Sequence, residues 1–373
     1  MVRIAHLADV HLGSAFAWTG AEDKARRFRR QQLDGLNFCL QTAREKDCAA
    51  VLIAGDLFDS AFAERESVAR FIYLAGQYAS LPILIAAGNH DPLSEGGVYL
   101  RGNLPENVHV FPAAGDYVEI GDKLRVHGVS AVSARDNRAP LEQLRALKDG
   151  RFELALIHAE LASSAAAAHY APVTRAQLGA SGFAYVAMGH IHERSGLQYE
   201  AGTAYAYAGA LQGRGFDECG EKGFYLVELE QSRVHTAFIP VAGSRFEIVK
   251  ADLSEVHDYE GALACYEKAL AGFAPQDQVR VILSGRIQAA DSEWPALLMR
   301  LADQNSRYIR DETVIVPDPD RRAEDTGVRG LVVAALEEKM AAAADERQRE
   351  VYSRALRYAL LAMDGEKVAP YED

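Results

Sequence analysis

The 373-residue sequence has only four cysteines, Cys39, Cys48, Cys219 and Cys265, and none of them forms a CxxC pair. That spacing suggests neither a structural zinc site nor a disulfide framework, so reduced, mostly structural cysteines are expected. Long apolar runs are missing as well. The N-terminal stretch MVRIAHLADVHLG is broken by His6, Asp9 and His11, too early for a signal-peptide core or a membrane span. A cytoplasmic protein with no membrane attachment is the expectation. Basic charge is scarce: 40 Lys and Arg stand against 53 Asp and Glu, a net charge of −13. Phosphate neutralisation supplies most non-specific affinity for DNA, so a chain coated in positive potential is excluded. Any grip on nucleic acid must be local, or shared with bound metal or a partner. One local cluster exists, Lys24, Arg26, Arg27, Arg29 and Arg30, which reads first as a solvated helix face and second as a phosphate contact.

What is present is enough for a full core: 49% of residues are hydrophobic and 25% charged, in a chain longer than most single domains. One large domain with an attachment is expected. Over the first 190 residues short apolar runs alternate with amphipathic stretches, the pattern of an α/β layered domain. Arg3–Ala8, Ala50–Ala54, Ile83–Ala87, Leu154–Ile157 and Tyr185–Met188 read as buried strands. Phe28, Leu33, Leu36, Phe38, Leu40 and Ala43 recur at helical spacing between the first two, and Val68, Phe71, Ile72 and Ala75 before the third. Phe224–Leu229 and Val234–Ile239 should complete the sheet edge. A smaller unit then starts near Arg245, with strands at Phe246–Lys250 and Val279–Leu283 and helices over Tyr259–Ala271 and near Glu293–Ala302. From about Gly327 to Met363 the pattern is helical, with Leu331, Ala335, Leu336 and Met340 on one face and Val351, Ala355, Tyr358 and Ala359 on another. The boundaries expected are 1–242, a small α/β unit over 243–322, and a helical tail over 323–373.

Each of the five expected strands in the first domain ends in residues that can bind a metal or handle a phosphate. They are Asp9-Val10-His11, Gly55-Asp56-Leu57-Phe58-Asp59, Gly88-Asn89-His90-Asp91, His158, and Gly189-His190-Ile191-His192. In open α/β sheets ligands sit beyond the carboxyl ends of the strands, so these distant residues can converge. Asp-x-His and His-x-His place two ligands on one side of an extended segment, and the glycines let the backbone turn sharply there. Imidazole nitrogen with carboxylate and amide oxygen, and no thiolate, suits manganese, iron, zinc or cobalt, with manganese the first choice and magnesium also compatible. A lone strand-end histidine is more often structural, and His6, His109, His127, His169, His235 and His257 keep that reading, with His6 packed in the first strand. Packing alone does not call for ionisable groups at every strand end.

In this order the motifs DVH, GDLFD, GNHD, H and GHIH resemble the calcineurin-like metallophosphoesterases. HLADVHLG with GDLFD resembles their SbcD and meiotic double-strand-break nuclease branch. YAPVT, FAYVAMGHIHERS and YAGALQGRGFDECGEKGFYLVEL look closest to the YhaO-type bacterial subgroup. The resemblance implies a layered β-sandwich flanked by helices, a small α/β capping domain and a C-terminal helical tail. It also implies that Asp9, His11, Asp56 and His192 hold one divalent ion and Asp56, Asn89, His158 and His190 a second. His90 would be the catalytic non-ligand histidine and Asp91 would orient its ring. Arg214, with Arg26, Arg27, Arg29 and Arg30, is a candidate phosphate or DNA contact. The implied activity is a DNA exo- or endonuclease working with an SbcC-like coiled-coil ATPase, and relatives that pair through first-domain helices imply a homodimer. Two positions depart from the pattern. Asp59 stands where relatives often have a second histidine, and Gly209-Ala210 replaces Gly-Ser, which removes a hydroxyl near the site. Ser60 follows Asp59 where protein phosphatases of this type carry an arginine, which weighs against that class. The competing readings are a phosphodiesterase for small nucleotides and a non-catalytic metal-binding scaffold; no ligand is missing, which disfavours the scaffold.

Overall fold

The apolar run Ala50–Ala54 forms a strand buried along its whole length, as expected of a strand with parallel neighbours and both faces covered. It sits inside a six-stranded sheet whose order from edge to edge is Arg233–Pro240, Gly223–Glu230, Val2–Leu7, Ala50–Ala54, Ile83–Ala86 and Val108–Val110. A second six-stranded sheet runs Gln198–Glu200, Thr203–Tyr207, Tyr185–Gly189, Phe152–His158, Leu124–Gly128 and Asp116–Ile120. The computed structural model describes residues 1–363 apart from 102, 165–166, 232, 257, 289–292, 304–306 and 317–326. His257 and the expected boundary at 322 lie outside the described residues.

Ile4, Leu52 and Leu84 from the first sheet meet Leu154, Tyr185 and Ala204 from the second in a buried apolar layer, so the fold is a sandwich of two mixed sheets with helices outside. His6 lies in this layer, fully buried, with Nδ1 2.8 Å from the Tyr185 hydroxyl. Burial pushes its imidazole down to about 3, so it is neutral. The long helix Glu22–Glu45 turns Phe28, Gln32, Leu36, Cys39, Leu40 and Ala43 inward at helical spacing. Phe38 departs from the expected face and is 40% exposed, and Cys39 takes the buried place. All five expected strands form, within a residue or two of the expected ends, but they are split between the sheets. The first three belong to one and Phe152–His158 and Tyr185–Gly189 to the other. Short strands such as Leu124–Gly128 and Thr203–Tyr207 had no periodic signal of their own in the sequence.

The chain divides into two compact units, Met1–Arg245 and Phe246–Asp373. In the second, the parallel strands Phe246–Asp252, Gln278–Ser284 and Arg307–Asp311 pack with helices Tyr259–Leu270 and Trp294–Asp303 around Leu253, Tyr266, Val281 and Trp294. Two further helices, Val328–Ala341 and Glu346–Met363, follow. The latter buries Ser353, Leu356 and Leu360 and pairs Arg357 with Asp311, so the face expected around Val351 is not the packed one. The former buries no residue, and its Val328 and Leu331 are 73% and 70% exposed. Among the described residues no helix is long and apolar enough to cross a membrane, and all four cysteines are free.

Candidate metal centre

The loops after Val2–Leu7 and Ala50–Ala54 continue side by side beyond their strands. Asp9, His11 and Leu12 donate their amides to the carbonyls of Gly55, Asp56 and Leu57 at 3.1, 2.9 and 2.8 Å. Gln32, buried on the long helix, donates to the carbonyls of Val10 and His11 at 3.2 and 2.9 Å and pins the same loop from behind. Asp91 ties the next loop in, accepting from the amides of Asp56, Phe58 and Gly88 and from the Tyr99 hydroxyl. All of its contacts are structural. It does not orient the ring of His90, contrary to the expectation, because its oxygens are fully buried and committed to strand-end amides. His90 is exposed, and its Nδ1 lies 3.2 Å from the Asp59 carbonyl.

The backbone here is strained where side chains converge. Asp9, His11, Asp56 and His190 have φ of 50°, 51°, 51° and 99°, left-handed values that cost a non-glycine residue roughly 1–3 kcal/mol each. Asp9 and His11 therefore do not share a side through extended periodicity, as the sequence suggested; left-handed turns aim them. His190 and His192 part company, one toward Asn89 and the other toward His11. Two of the glycines also serve a different purpose from the one expected. Gly88 and Gly189 are not in the left-handed region; a Cβ on them would lie 2.2 Å from an Asp56 oxygen and 1.8 Å from the Ala54 carbonyl, so they are there for space.

Two pockets result. In the first, Asp9, His11, Asp56 and His192 offer ligand atoms that all lie within 4.8 Å of one another. His11 Nε2 is 3.3 Å from His192 Nε2 and 3.7 Å from Asp56 Oδ2, and His192 Nε2 is 3.8 Å from Asp9 Oδ1. In the second, His158 Nε2 is 2.8 Å from Asn89 Oδ1 and 3.5 Å from Asp56 Oδ2, and His190 Nδ1 is 3.2 Å from Asn89 Oδ1. Asp56 borders both. Tyr170 walls the second pocket, stacked on His190 with ring centres 4.8 Å apart.

These donors fit divalent cations. Two buried carboxylates face histidine nitrogens, and the tautomers are set from behind. Ala54's carbonyl can only accept, so His158 Nδ1, 2.8 Å away, carries a hydrogen, and Nε2 is the nitrogen that faces the pocket. Glu218 does the same for His192, 2.8 Å from Nδ1. Electrostatics agree. Burial pushes the Asp56 carboxyl up, but His158, His11 and His90 together outweigh it and hold the group below the usual carboxylate range. Burial pulls His158 down, yet Asp56 and Asp9 lift it to about 9. The attraction that draws a proton to His158 would equally hold a metal ion. Asp9 is raised, chiefly by burial, and His190 falls to about 4 through burial and the nearby His158.

The arginines fare differently. Arg29 pairs with Glu22 and Arg30 lies 3.8 Å from Asp34. Arg26, Arg27, Arg29 and Arg30 line a cavity of about 1230 Å³, but Glu22, Asp23, Asp34, Glu64 and Glu66 line it too. Arg214 is partly buried and engaged within the protein. Its Nη1 is 3.0 Å from Asp59 Oδ1, and Nη2 and Nε are 2.8 and 3.1 Å from Glu218 Oε1. Asp59, at the position of the absent histidine, also lies 3.0 Å from His11 Nδ1. Ala210 is buried and its amide donates to the His192 carbonyl at 3.0 Å. Sequence reading missed Glu218, Tyr170 and Gln32. In the loop Gly215-Phe216-Asp217-Glu218 nothing periodic separates the exposed Asp217 from the buried Glu218; a search for carboxylates to back each ligand histidine was the available signal.

The profile of the family described as "Calcineurin-like phosphoesterase" matches residues 2–194, just over half of the chain. The uncharacterized metallophosphoesterase YhaO of Bacillus subtilis (strain 168) is 28% identical over 297 residues, 75% of this chain and 71% of its own length. The DNA double-strand break repair protein Mre11 of Aeropyrum pernix is 30% identical over 60% of this chain and 56% of its own length. That of Methanopyrus kandleri is 26% identical over 65% and 58%. The chain thus spans somewhat over half the length of each Mre11 relative.

Proposed function

Because the chain belongs to the calcineurin-like phosphoesterase family, whose chemistry is metal-dependent phosphoester hydrolysis, we propose that it is a two-metal phosphodiesterase acting on DNA, the nuclease subunit of an SbcCD-like repair complex. The observation that carries the reading is the convergence of Asp9, His11, Asp56, Asn89, His158, His190 and His192 into two pockets sharing one carboxylate. Two divalent ions, with manganese the best match to these donors, supply an acidified water and charge stabilisation at phosphorus when bound. The side chains do the rest. Asp56 belongs to both pockets and fixes their separation, and its other oxygen accepts the His90 amide at 2.8 Å. With Nδ1–H facing a carbonyl that can only accept, His90 acts as the general acid in its imidazolium form, giving the Nε2 proton to the leaving oxygen and returning to the neutral ring that keeps Nδ1–H. Its exposure lets a polymeric substrate reach it.

DNA as the substrate is supported by the two relatives whose names specify double-strand break repair. Residues 1–242 form the nuclease domain in this reading, 243–322 the cap that limits which DNA enters, and 323–373 the segment that docks an SbcC-like ATPase; the exposed Val328 and Leu331 favour that docking. An ATPase partner also offsets the −13 net charge by supplying basic surface. The test is manganese-dependent cleavage of linear DNA beside bis-p-nitrophenyl phosphate and cyclic nucleotides. DNA cleavage lost on chelation is expected; hydrolysis confined to the small diesters would leave the small-nucleotide reading instead.

A further inference from the structure

Both histidines of the first pocket present Nε2 inward and have a carboxylate near Nδ1: His192 is hydrogen-bonded to Glu218 at 2.8 Å, and His11 Nδ1 lies 3.0 Å from Asp59 Oδ1, within ion-pair range but outside hydrogen-bond geometry. A carboxylate behind a ligand histidine fixes its ring and raises its basicity. These two carboxylates come from loops about 160 residues apart, and one side chain joins them. Arg214 places Nη1 on Asp59 and both Nη2 and Nε on Glu218, and its own amide donates to Glu218 Oε2 at 2.9 Å. A planar guanidinium can hold two carboxylates at a fixed distance in this way; an ammonium cannot. All three guanidinium nitrogens have a partner within the protein, and Nη2 also lies 3.2 Å from His192 Nδ1, so the group touches the ring as well as the carboxylate behind it. Glu218 is 5% exposed, and in the second pocket His158 is backed instead by the neutral Ala54 carbonyl.

We propose that Asp59, Arg214 and Glu218 form a clamp that positions His11 and His192 and sets the affinity of the first pocket for its ion, while the second pocket is set independently. Arg214 is a positioning residue, and Asp59 takes up the place of the absent histidine as part of this clamp. The inference rests on the two-metal reading and goes beyond it by assigning these three residues to one pocket.

The experiment is calorimetric titration of manganous ion into the chelator-stripped full chain, with thermal unfolding of the stripped protein as a control for folding. The parent protein should bind two ions. Arg214→Ala should weaken one of them by about 10–100-fold and leave the other within about twofold. Arg214→Lys, which keeps the charge but not the fork, should fall between. Glu218→Gln is nearly isosteric and should weaken the same ion, which keeps the test available if Arg214→Ala fails to fold. Unchanged affinities, or an equal loss at both sites, would overturn the clamp. Fewer than two ions in the parent protein would overturn the two-metal reading itself and the clamp with it.

Discussion

The two pockets have similar donors but opposite kinds of support. Around Asp9, His11 and His192 the backing is ionic, with Asp59, Arg214 and Glu218 arrayed behind the rings. Around Asn89, His158 and His190 it is neutral: a backbone carbonyl behind His158, Tyr170 stacked on His190, and an amide in place of a carboxylate. Opposing charges that satisfy one another lower Glu218 to about 2, since His192 and Arg214 outweigh the upward push of burial. The difference teaches that neighbouring candidate ion pockets can be supported in two ways, one tightly charge-balanced and one held by packing and dipoles. Asp56 belongs to neither alone, and substitutions around it are the sharpest way to separate the halves.

The largest effect is expected from Asp56→Asn, which removes the shared charge and should erase the comparison. Manganese affinity should collapse at both sites, and turnover of bis-p-nitrophenyl phosphate should fall roughly a thousandfold or more, the several kcal/mol a metal pair supplies. If one ion kept its affinity, Asp56 would belong to a single pocket. His90→Gln comes next. Turnover should drop roughly a hundred- to a thousandfold with both ions retained, and a lost ion would make His90 a ligand instead.

Asn89→Ala sharpens the contrast from the other side. As a direct donor to the second pocket it should cost that ion more than the roughly 10–100-fold that a supporting residue carries, and leave the first ion unchanged. Loss at both sites would mean that the halves are coupled through more than Asp56. The smallest effect is a pH dependence that arises outside both pockets, at the buried His6. His6 is held neutral in the fold, its pKa lowered from 6.5 to about 3, so the unfolded chain binds one proton more across that window. Stability is intact above the unfolded value and is lost as pH falls toward about 3, at up to roughly 1.4 kcal/mol per pH unit. Denaturant midpoints at pH 7 and pH 5 should differ by less in His6→Gln than in the parent chain; equal differences would remove His6 from the account.

Much of the site is legible in the amino-acid sequence because the informative residues are local. Asp9-Val10-His11 and Gly189-His190-Ile191-His192 carry their donors within four positions, directly after apolar runs long enough only for strands. Their grouping holds even where the expected reason fails, since left-handed backbone at Asp9 and His11 does the aiming that extended periodicity was expected to do. Glu218 and Arg214 are harder because a loop has no period, and whether Arg214 meets a phosphate or Asp59 depends on a fold that brings residues 59 and 214 together. Phe38 shows the same limit in a helix: spacing marks an apolar stripe, while its edge is decided by what packs there, and Cys39 takes the buried side. The basic cluster on Glu22–Glu45 looks like a patch in the sequence, but the acids lining the same cavity come partly from the distant Glu64 and Glu66.

The most direct test of two pockets sharing one carboxylate is the electron paramagnetic resonance spectrum of the full chain loaded with manganous ion, recorded with the metal content of the same sample. Two ions per chain with an exchange-coupled signal, converted to the spectrum of isolated ions by Asp56→Asn, is the predicted result. One ion per chain, or two that give an uncoupled spectrum in the parent protein, would contradict a pair of pockets sharing Asp56.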